Sequence, residues 1–479
     1  MAIAHVGSPT VFFQGYAGAY HLRVTIRPPE TIPGTAAVVV QTDTTDVQRV
    51  SVRPIRWDAG PSGAPPPEEC RPVQGSPRVR SAELWLMTPG SYYFFVEVAG
   101  TRGVGTAIVP VSAVATRKLG LSLQLSLMLA GLGVLLSASL LVLLNAAGRE
   151  STLGPERALT AENRRNGRLS ACCGAIAISV ALVGGKIWWK QEDARAARRL
   201  HRPYHLVATT WQEHRGRRLQ VTIDDPRWLD EDWRPLIPDH GKWMHLFMAR
   251  VPAFDVFAHL HPRPKDQRTF TTTLPPLPLG QYLVFVDIAQ ENGFAQTLTA
   301  SVELPAIASG SPAGRLDDVD DAFSLARAIS DSGTATLVTA ALDGGLTMIW
   351  HTGSAPSVEG VEGLLQFDVL DEAGRPVELE PYLGMPGHAI VLREDAAIFT
   401  HLHPNGTISM AAQRAFLDRE RDVTSPRALH ESHGPERTTQ LRFPFAFPAA
   451  GSYRVWVQVQ VRGQVLTGAY IHRVAPKRP

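Results

Sequence analysis

Apolar and polar positions alternate with period two through most of this chain, in short stretches rich in β-branched and aromatic residues and broken by Pro and Gly. Alternation of that kind puts every second side chain on one face, the pattern of half-buried strands in sandwiches. Two runs depart from it. Leu119 to Leu144 holds 26 residues without a charge, flanked by Arg117, Lys118 and Arg149, where a helix needs only ~20 to cross a hydrocarbon core. A buried core helix is the competing reading, but a run so long and apolar on all sides has no polar face to show to water. The second run, Ala171 to Trp189, contains Gly174, Gly184, Gly185 and Lys186. Lys186 lies near its end, where an ammonium snorkels to the interface, and Trp188 and Trp189 fit an interfacial belt.

The expected fold class is therefore mainly β with two transmembrane helices, at 119–144 and 171–189. The intervening loop, 145–169, carries five arginines, and five basic residues also follow the second run. This near tie leaves the positive-inside count undecided. Two spans still place both flanking regions on one side. The opening Ala2-Ile3-Ala4 matches an A-x-A cleavage pattern, which suggests a start upstream of Met1 and a secreted N-terminal region. On that basis the expected location is the inner membrane, two-pass, with N- and C-terminal domains extracytoplasmic and the Arg-rich loop cytoplasmic.

One phrase recurs three times: Gly90-Ser-Tyr92, Gly280-Gln-Tyr282 and Gly451-Ser-Tyr453, each followed by an apolar strand. A turn glycine before a tyrosine that enters a core strand is similar to the tyrosine corner of immunoglobulin-like sandwiches. Three immunoglobulin-like or cupredoxin-like β-sandwiches are expected, at 1–115, 203–305 and 333–475. Residues 306–332 are expected as a linker, with a short helix over 318–329. The last two sandwiches share more. His245-Leu-Phe-Met-Ala-Arg250 aligns with His388-Ala-Ile-Val-Leu-Arg393, and Phe257-Ala-His259-Leu-His261-Pro262 aligns with Phe399-Thr-His401-Leu-His403-Pro404. A doubled HLHP in matching context marks an internal duplication.

On a strand, His259 and His261 present two imidazoles on one face, as do His401 and His403. His245 and His388 stand 14 and 13 residues earlier, a distance that suits the neighbouring strand of an antiparallel pair. Three imidazoles on paired strands make a site for copper, with zinc as the other ion that imidazole suits. His240 is a further candidate, and Met244 and Met385 are candidate thioether donors. The competing reading is a hydrogen-bonded polar rung at a strand end, with no metal. His21, His201, His205, His214, His351, His430, His433 and His472 are read as surface or core residues. His5 is separate: cleavage after Ala4 makes its α-amine and Nδ1 a chelating pair.

The opening His5-Val6-Gly-Ser-Pro and Tyr20-His-Leu-Arg-Val-Thr-Ile-Arg27 resemble the start of periplasmic copper-binding sandwiches of the CopC and YcnI kind, over about 25 residues. The H-x13/14-H-x-H-P motif with its later G-x-Y resembles bacterial extracytoplasmic domains of uncertain function, some of which accompany heavy-metal-handling proteins. These resemblances imply a sandwich fold and a soft-to-borderline metal such as copper.

Composition excludes several classes. The net charge is +2 over 479 residues, and no basic tract interleaves with aromatics, so no nucleic-acid partner is expected. The three cysteines, Cys70, Cys172 and Cys173, form no CxxC pair, which leaves thiolate zinc sites and disulfide frameworks without support. No nucleophile elbow, P-loop, dinucleotide fingerprint or HExxH is present, and no catalytic residue or enzymatic activity is assigned. The partners expected are the lipid bilayer and another membrane or periplasmic protein. Two functions remain: membrane-anchored extracytoplasmic handling of a transition metal, or a metal-free structural or assembly role through immunoglobulin-like contacts.

Overall fold

The computed structural model describes residues 10–151, 158–213, 216–230, 233–305, 316–325, 329–333, 335–423 and 438–477. His5, His214, His430 and His433 lie outside the described residues. The chain forms two compact units, residues 115–201 and the remainder.

The smaller unit is a helical hairpin of α1 (Leu123–Glu150) and α2 (Ala161–Arg198), both long and apolar enough to cross a membrane. None of the residues of α1 is buried. The helices run well beyond the charge-free stretches. Most of the expected loop at 145–169 is therefore helical, and residues 151–160 connect the helices. Small residues allow the extension: a Cβ on Gly167 would lie 2.7 Å from the Asn145 carbonyl, and one on Gly174 would lie 2.3 Å from Leu144. Thr160 and Asn163 close a capping box at the start of α2 and satisfy backbone groups that would otherwise be orphaned.

Among the described residues, the larger unit contains six sheets that pair into three sandwiches. In each, apolar residues from both sheets share one core. Val38 and Val96 belong to the core of the first, Val221 and Val284 to that of the second, and Phe367 and Val457 to that of the third. The repeated glycine-tyrosine phrase forms the same corner three times. Tyr92, Tyr282 and Tyr453 each donate to the carbonyl four residues earlier, at Thr88, Pro278 and Ala449, over 2.8, 2.9 and 2.6 Å. Gly280 and Gly451 adopt φ of 135° and 141° at this turn, a conformation that a side chain disfavours.

The expected linker does more than connect. Ala322–Leu325 is a strand that pairs with Val256–Leu260 at the edge of the second sandwich, where a helix was expected. A sheet edge offers unpaired N–H and C=O groups. Asp318 and Asp320 hold the preceding turn there through Lys242, at 2.6 and 2.7 Å. Tertiary pairing thus outweighs the local helical pattern. A helix the sequence did not announce, α3 (Met410–Val423), follows the second HLHP. Its Phe416 packs with Ile55, Tyr93 and Ile108 of the first sandwich.

The second and third sandwiches meet sheet to sheet. Alternate residues of their facing strands, Phe247, Phe257 and Phe285 on one side and Ile390, Phe399 and Trp456 on the other, form a shared apolar cluster. Phe285 stacks on Phe399 at 4.2 Å, and Phe257 stacks on Trp456 at 4.8 Å. In the repeat alignment Phe257 corresponds to Phe399 and Phe285 to Trp456, so the two contacts are one contact made twice, related by an approximate twofold.

Candidate metal centre

The same period of two that makes this interface apolar at one end makes it imidazole at the other. Along His245–Arg250, residues 245, 247 and 249 face the partner sheet. Along Val256–Leu260 and just beyond it, so do residues 257, 259 and 261. The strands pair antiparallel with Phe247 opposite His259, which brings His245 beside His259 and His261. In the third sandwich Ile390 lies opposite His401, with the same result for His388, His401 and His403. In each triad, one ligand atom per histidine lies within 4.8 Å of the others. The six histidines are buried or nearly so. The two triads also face each other, with His245 and His401 rings 5.5 Å apart and His259 and His401 rings 5.9 Å apart.

The hydrogen-bond partners assign the tautomers. His245 Nε2 lies 3.2 Å from the Asp239 carbonyl, which can only accept, so this nitrogen carries the proton and Nδ1 is bare. His259 Nδ1 lies 2.8 Å from Gln458 Oε1, while the Gln458 amide nitrogen donates to Thr467, so His259 Nε2 is bare. Those two bare nitrogens face each other at 3.1 Å. In the other triad His388 Nε2 donates to the Tyr382 carbonyl at 3.2 Å, and His401 Nδ1 lies 3.2 Å from Asp287 Oδ2, to which it donates when that carboxyl is ionised. His388 Nδ1 and His401 Nε2 then face each other at 3.0 Å. The third member of each triad follows suit. His261 Nδ1 is held by Asp321 at 3.0 Å and His403 Nδ1 by the Ile408 carbonyl at 3.3 Å, and both Nε2 atoms are buried without a hydrogen-bond partner. Each triad thus gathers three ring nitrogens free of other hydrogen-bond partners within 4.8 Å of one another.

Lone pairs in contact repel unless a cation lies between them. Burial pushes His245, His259, His388 and His401 well below the ordinary imidazole range and takes His403 to about 3, with neighbouring histidines adding to the effect. Neutral imidazole is the form that binds a metal. At tetrahedral angles, metal–nitrogen bonds of about 2.0–2.1 Å place two ligand atoms on one ion roughly 3.3–3.4 Å apart, slightly more than the 3.1 and 3.0 Å of the facing pair in each triad and within the 4.8 Å that bounds all three. Burial also raises the Asp287 carboxyl to about 7.

The sequence brings His245 beside His259 and His261, and His388 beside His401 and His403, as the structure does; it indicates neither that the two sets face each other nor what supports them. Asp287 and Gln458 occupy equivalent positions, opposite His245 and His388 respectively, and each reaches across to the other sandwich's histidine. A polar residue interrupting the apolar strand that follows each G-x-Y was the available signal. Asp321, from the expected linker, had none. Met244 is no donor: it packs in the second sandwich's own core, on the face opposite His245. His5 lies outside the described residues.

Residues 340–476, which include the second triad, match a family described as "Domain of unknown function (DUF8832)". No curated protein matches. Among solved structures, dimeric latent PorU from Porphyromonas gingivalis aligns at 9% identity over 98% of this chain and 34% of its own, with a TM-score of 0.15. Red sea bream transglutaminase aligns at 10% identity over 60% of this chain and 33% of its own, TM-score 0.15. The ICAM-5 D1–D4 ectodomain fragment gives 9% identity, 93% and 74% coverage and a TM-score of 0.14. The chain spans about a third of the length of PorU. Scores this low describe no common arrangement.

Proposed function

We propose that this chain is a membrane-anchored extracytoplasmic protein that binds a transition metal, copper foremost and zinc as the alternative ion, through the histidines between its duplicated sandwiches. The observation that carries the reading is the contact of His245 Nδ1 with His259 Nε2, both bare because their other nitrogens donate to oxygen, together with its counterpart between His388 and His401, bare on both sides when Asp287 is ionised. The donor set is all imidazole, which suits Cu(II) and Zn(II). The role would be capture, buffering or delivery. The apolar hairpin would serve as a two-pass anchor, with its short connection cytoplasmic and the β-domains outside.

The test is metal content. The full chain is purified in detergent, stripped by chelation, loaded with copper or zinc and desalted, and bound metal is measured. Two ions per chain are expected, with loss of at least one in His401→Ala combined with His403→Ala. A stoichiometry near zero, unchanged by that double variant, would sink the metal reading. Reporter fusions after residues 114, 155 and 477 test the orientation, with an external signal expected at the first and last only.

One observation favours a metal-free reading. Nitrogen separations of 3.0 and 3.1 Å also suit a shared proton. In that case each triad is a buried ionic rung that sets the register between sandwiches, and the protein acts as an assembly module for another membrane or periplasmic protein.

A further inference from the structure

The duplication is broken at one position beside the histidines. Each sandwich approaches its triad through a tight turn, Asp239–Lys242 in the second and Tyr382–Met385 in the third, closed by the same reciprocal backbone bridge. Both turns put their second residue in the left-handed region, His240 at φ 50° and Leu383 at φ 54°, and a glycine follows each. One copy therefore carries an imidazole where the other carries an aliphatic side chain.

His240 does not lean back on its own sandwich's triad. Its ring lies 5.0 Å from His403 and 5.5 Å from His388, both of the third sandwich, and 6.0 Å from His245. The first two ring-centre distances match those inside the triads, where His388–His401 is 5.2 Å and His388–His403 is 4.9 Å, but His240 lies outside the set of ligand atoms within 4.8 Å of one another, so its side chain must turn inward to close on a shared ion. The side chain is 8% exposed, and Nε2 is buried without a hydrogen-bond partner, 3.8 Å from Asp239 Oδ1. A tether explains the reach. The Asp239 carboxylate accepts from Ser409 Oγ at 2.8 Å and from the Ala411 N–H at 3.0 Å, which ties the His240 turn to the segment that follows His403. Leu383, also buried, has no donor atom to offer the other triad.

We infer that the two triads are unequal metal sites: His240 joins His388, His401 and His403 in a closed four-imidazole site, whereas His245, His259 and His261 hold an ion with one position left for a small exogenous donor such as water or azide. This rests on the metal-binding reading proposed above. Closed four-ligand sites retain their ion, whereas three protein ligands plus an open position characterise sites that exchange ligands or react.

The experiment is a competition titration of Zn(II) against a chromophoric chelator, using the stripped full chain in detergent. Two ions with affinities at least about tenfold apart are expected. Loss of one imidazole should cost the tighter site at least as much as loss of a supporting residue, roughly tenfold or more. His240→Leu, which copies the other repeat, should thus bring the two affinities together. Leu383→His should tighten the weaker site and leave the stronger unchanged. In the Co(II)-loaded protein, one azide should perturb the visible spectrum in the wild type and two in His240→Leu. His240→Asn, which tolerates the left-handed backbone, stands in if the leucine variant does not fold. Two ions whose affinities ignore both the His240 and the Leu383 substitutions would overturn the inequality and leave the metal reading intact. No bound ion in the wild type would overturn both.

Discussion

Acidification of the metal-free protein tests the neutral histidine cluster most directly. Five of its imidazoles, at His245, His259, His388, His401 and His403, sit below their ordinary range because they are buried. The unfolded chain protonates each near pH 6.5 while the folded chain resists, so their stability is present above pH 6.5 and is lost as pH falls below it. At pH 5.5 each histidine kept neutral costs about 1.4 kcal/mol. One proton per triad relieves the facing lone pairs, and a second charge in the same buried triad is repelled. Three of the five then stay neutral, at a cost of about 4 kcal/mol in all. Asp287 acts in the opposite sense. Its carboxyl is raised to about 7, so its contribution is present at low pH and lost as pH rises through 7. Between pH 7.5 and 5.5 it offsets about 2 kcal/mol. The net loss of about 2 kcal/mol corresponds to a melting temperature roughly 2–3 °C lower, at about 1.2 °C per kcal/mol for a unit of about 390 residues with ~2.1 cal/mol/K of unfolding entropy each. Thermal melts of the chelated full chain at the two pH values give the answer. Equal or higher stability at pH 5.5 would mean that the folded cluster takes up as many protons as the unfolded chain, and the neutral-imidazole argument would fail.

Three further perturbations address the surroundings of the site. Gln458→Leu removes the acceptor that fixes the His259 tautomer from the other sandwich and should weaken metal binding about 10–100-fold, read by chelator competition; unchanged affinity would make Gln458 a packing residue only. Tyr453→Phe deletes the corner bond to the Ala449 carbonyl and should lower stability by about 1 kcal/mol without altering metal stoichiometry, as denaturant melts will show. Phe416→Ala opens a hole where α3 meets the first sandwich. It should cost about 3–5 kcal/mol, with faster hydrogen exchange in α3 but not in the Gly451–Val461 strand; uniform acceleration in both would refute a local role for that contact.

Much of this architecture was legible because it depends on period and repetition. The G-x-Y phrase predicted corners, and the corner bonds are present in all three sandwiches. The H-x13/14-H-x-H spacing predicted three imidazoles on two paired strands, and the pairing register delivers them. What stayed hidden depends on contacts between distant segments. Asp321 reaches His261 across 60 residues and Asp287 reaches His401 across 114; no local pattern encodes such a reach. Ala322–Leu325 is a strand only because an open edge was available beside it. His240 was noticed as a residue, yet its attachment to the other sandwich's triad follows from the Asp239–Ser409 tether, which joins positions 170 residues apart.

The crossed supports carry a consequence for how such a centre arises. Gln458 holds His259 and Asp287 holds His401, while Phe285 on Phe399 is mirrored by Trp456 on Phe257. Every one of these contacts is reciprocal, which is the geometry of an isologous interface between two copies of one subunit. A single HLHP domain able to self-associate through this face would already own both triads and the crossed supports at the positions of Asp287 and Gln458. Joining two copies in tandem then frees each position to change alone. A symmetric pair must carry the same residue at both turns, whereas the fused chain keeps histidine at 240 and leucine at 383.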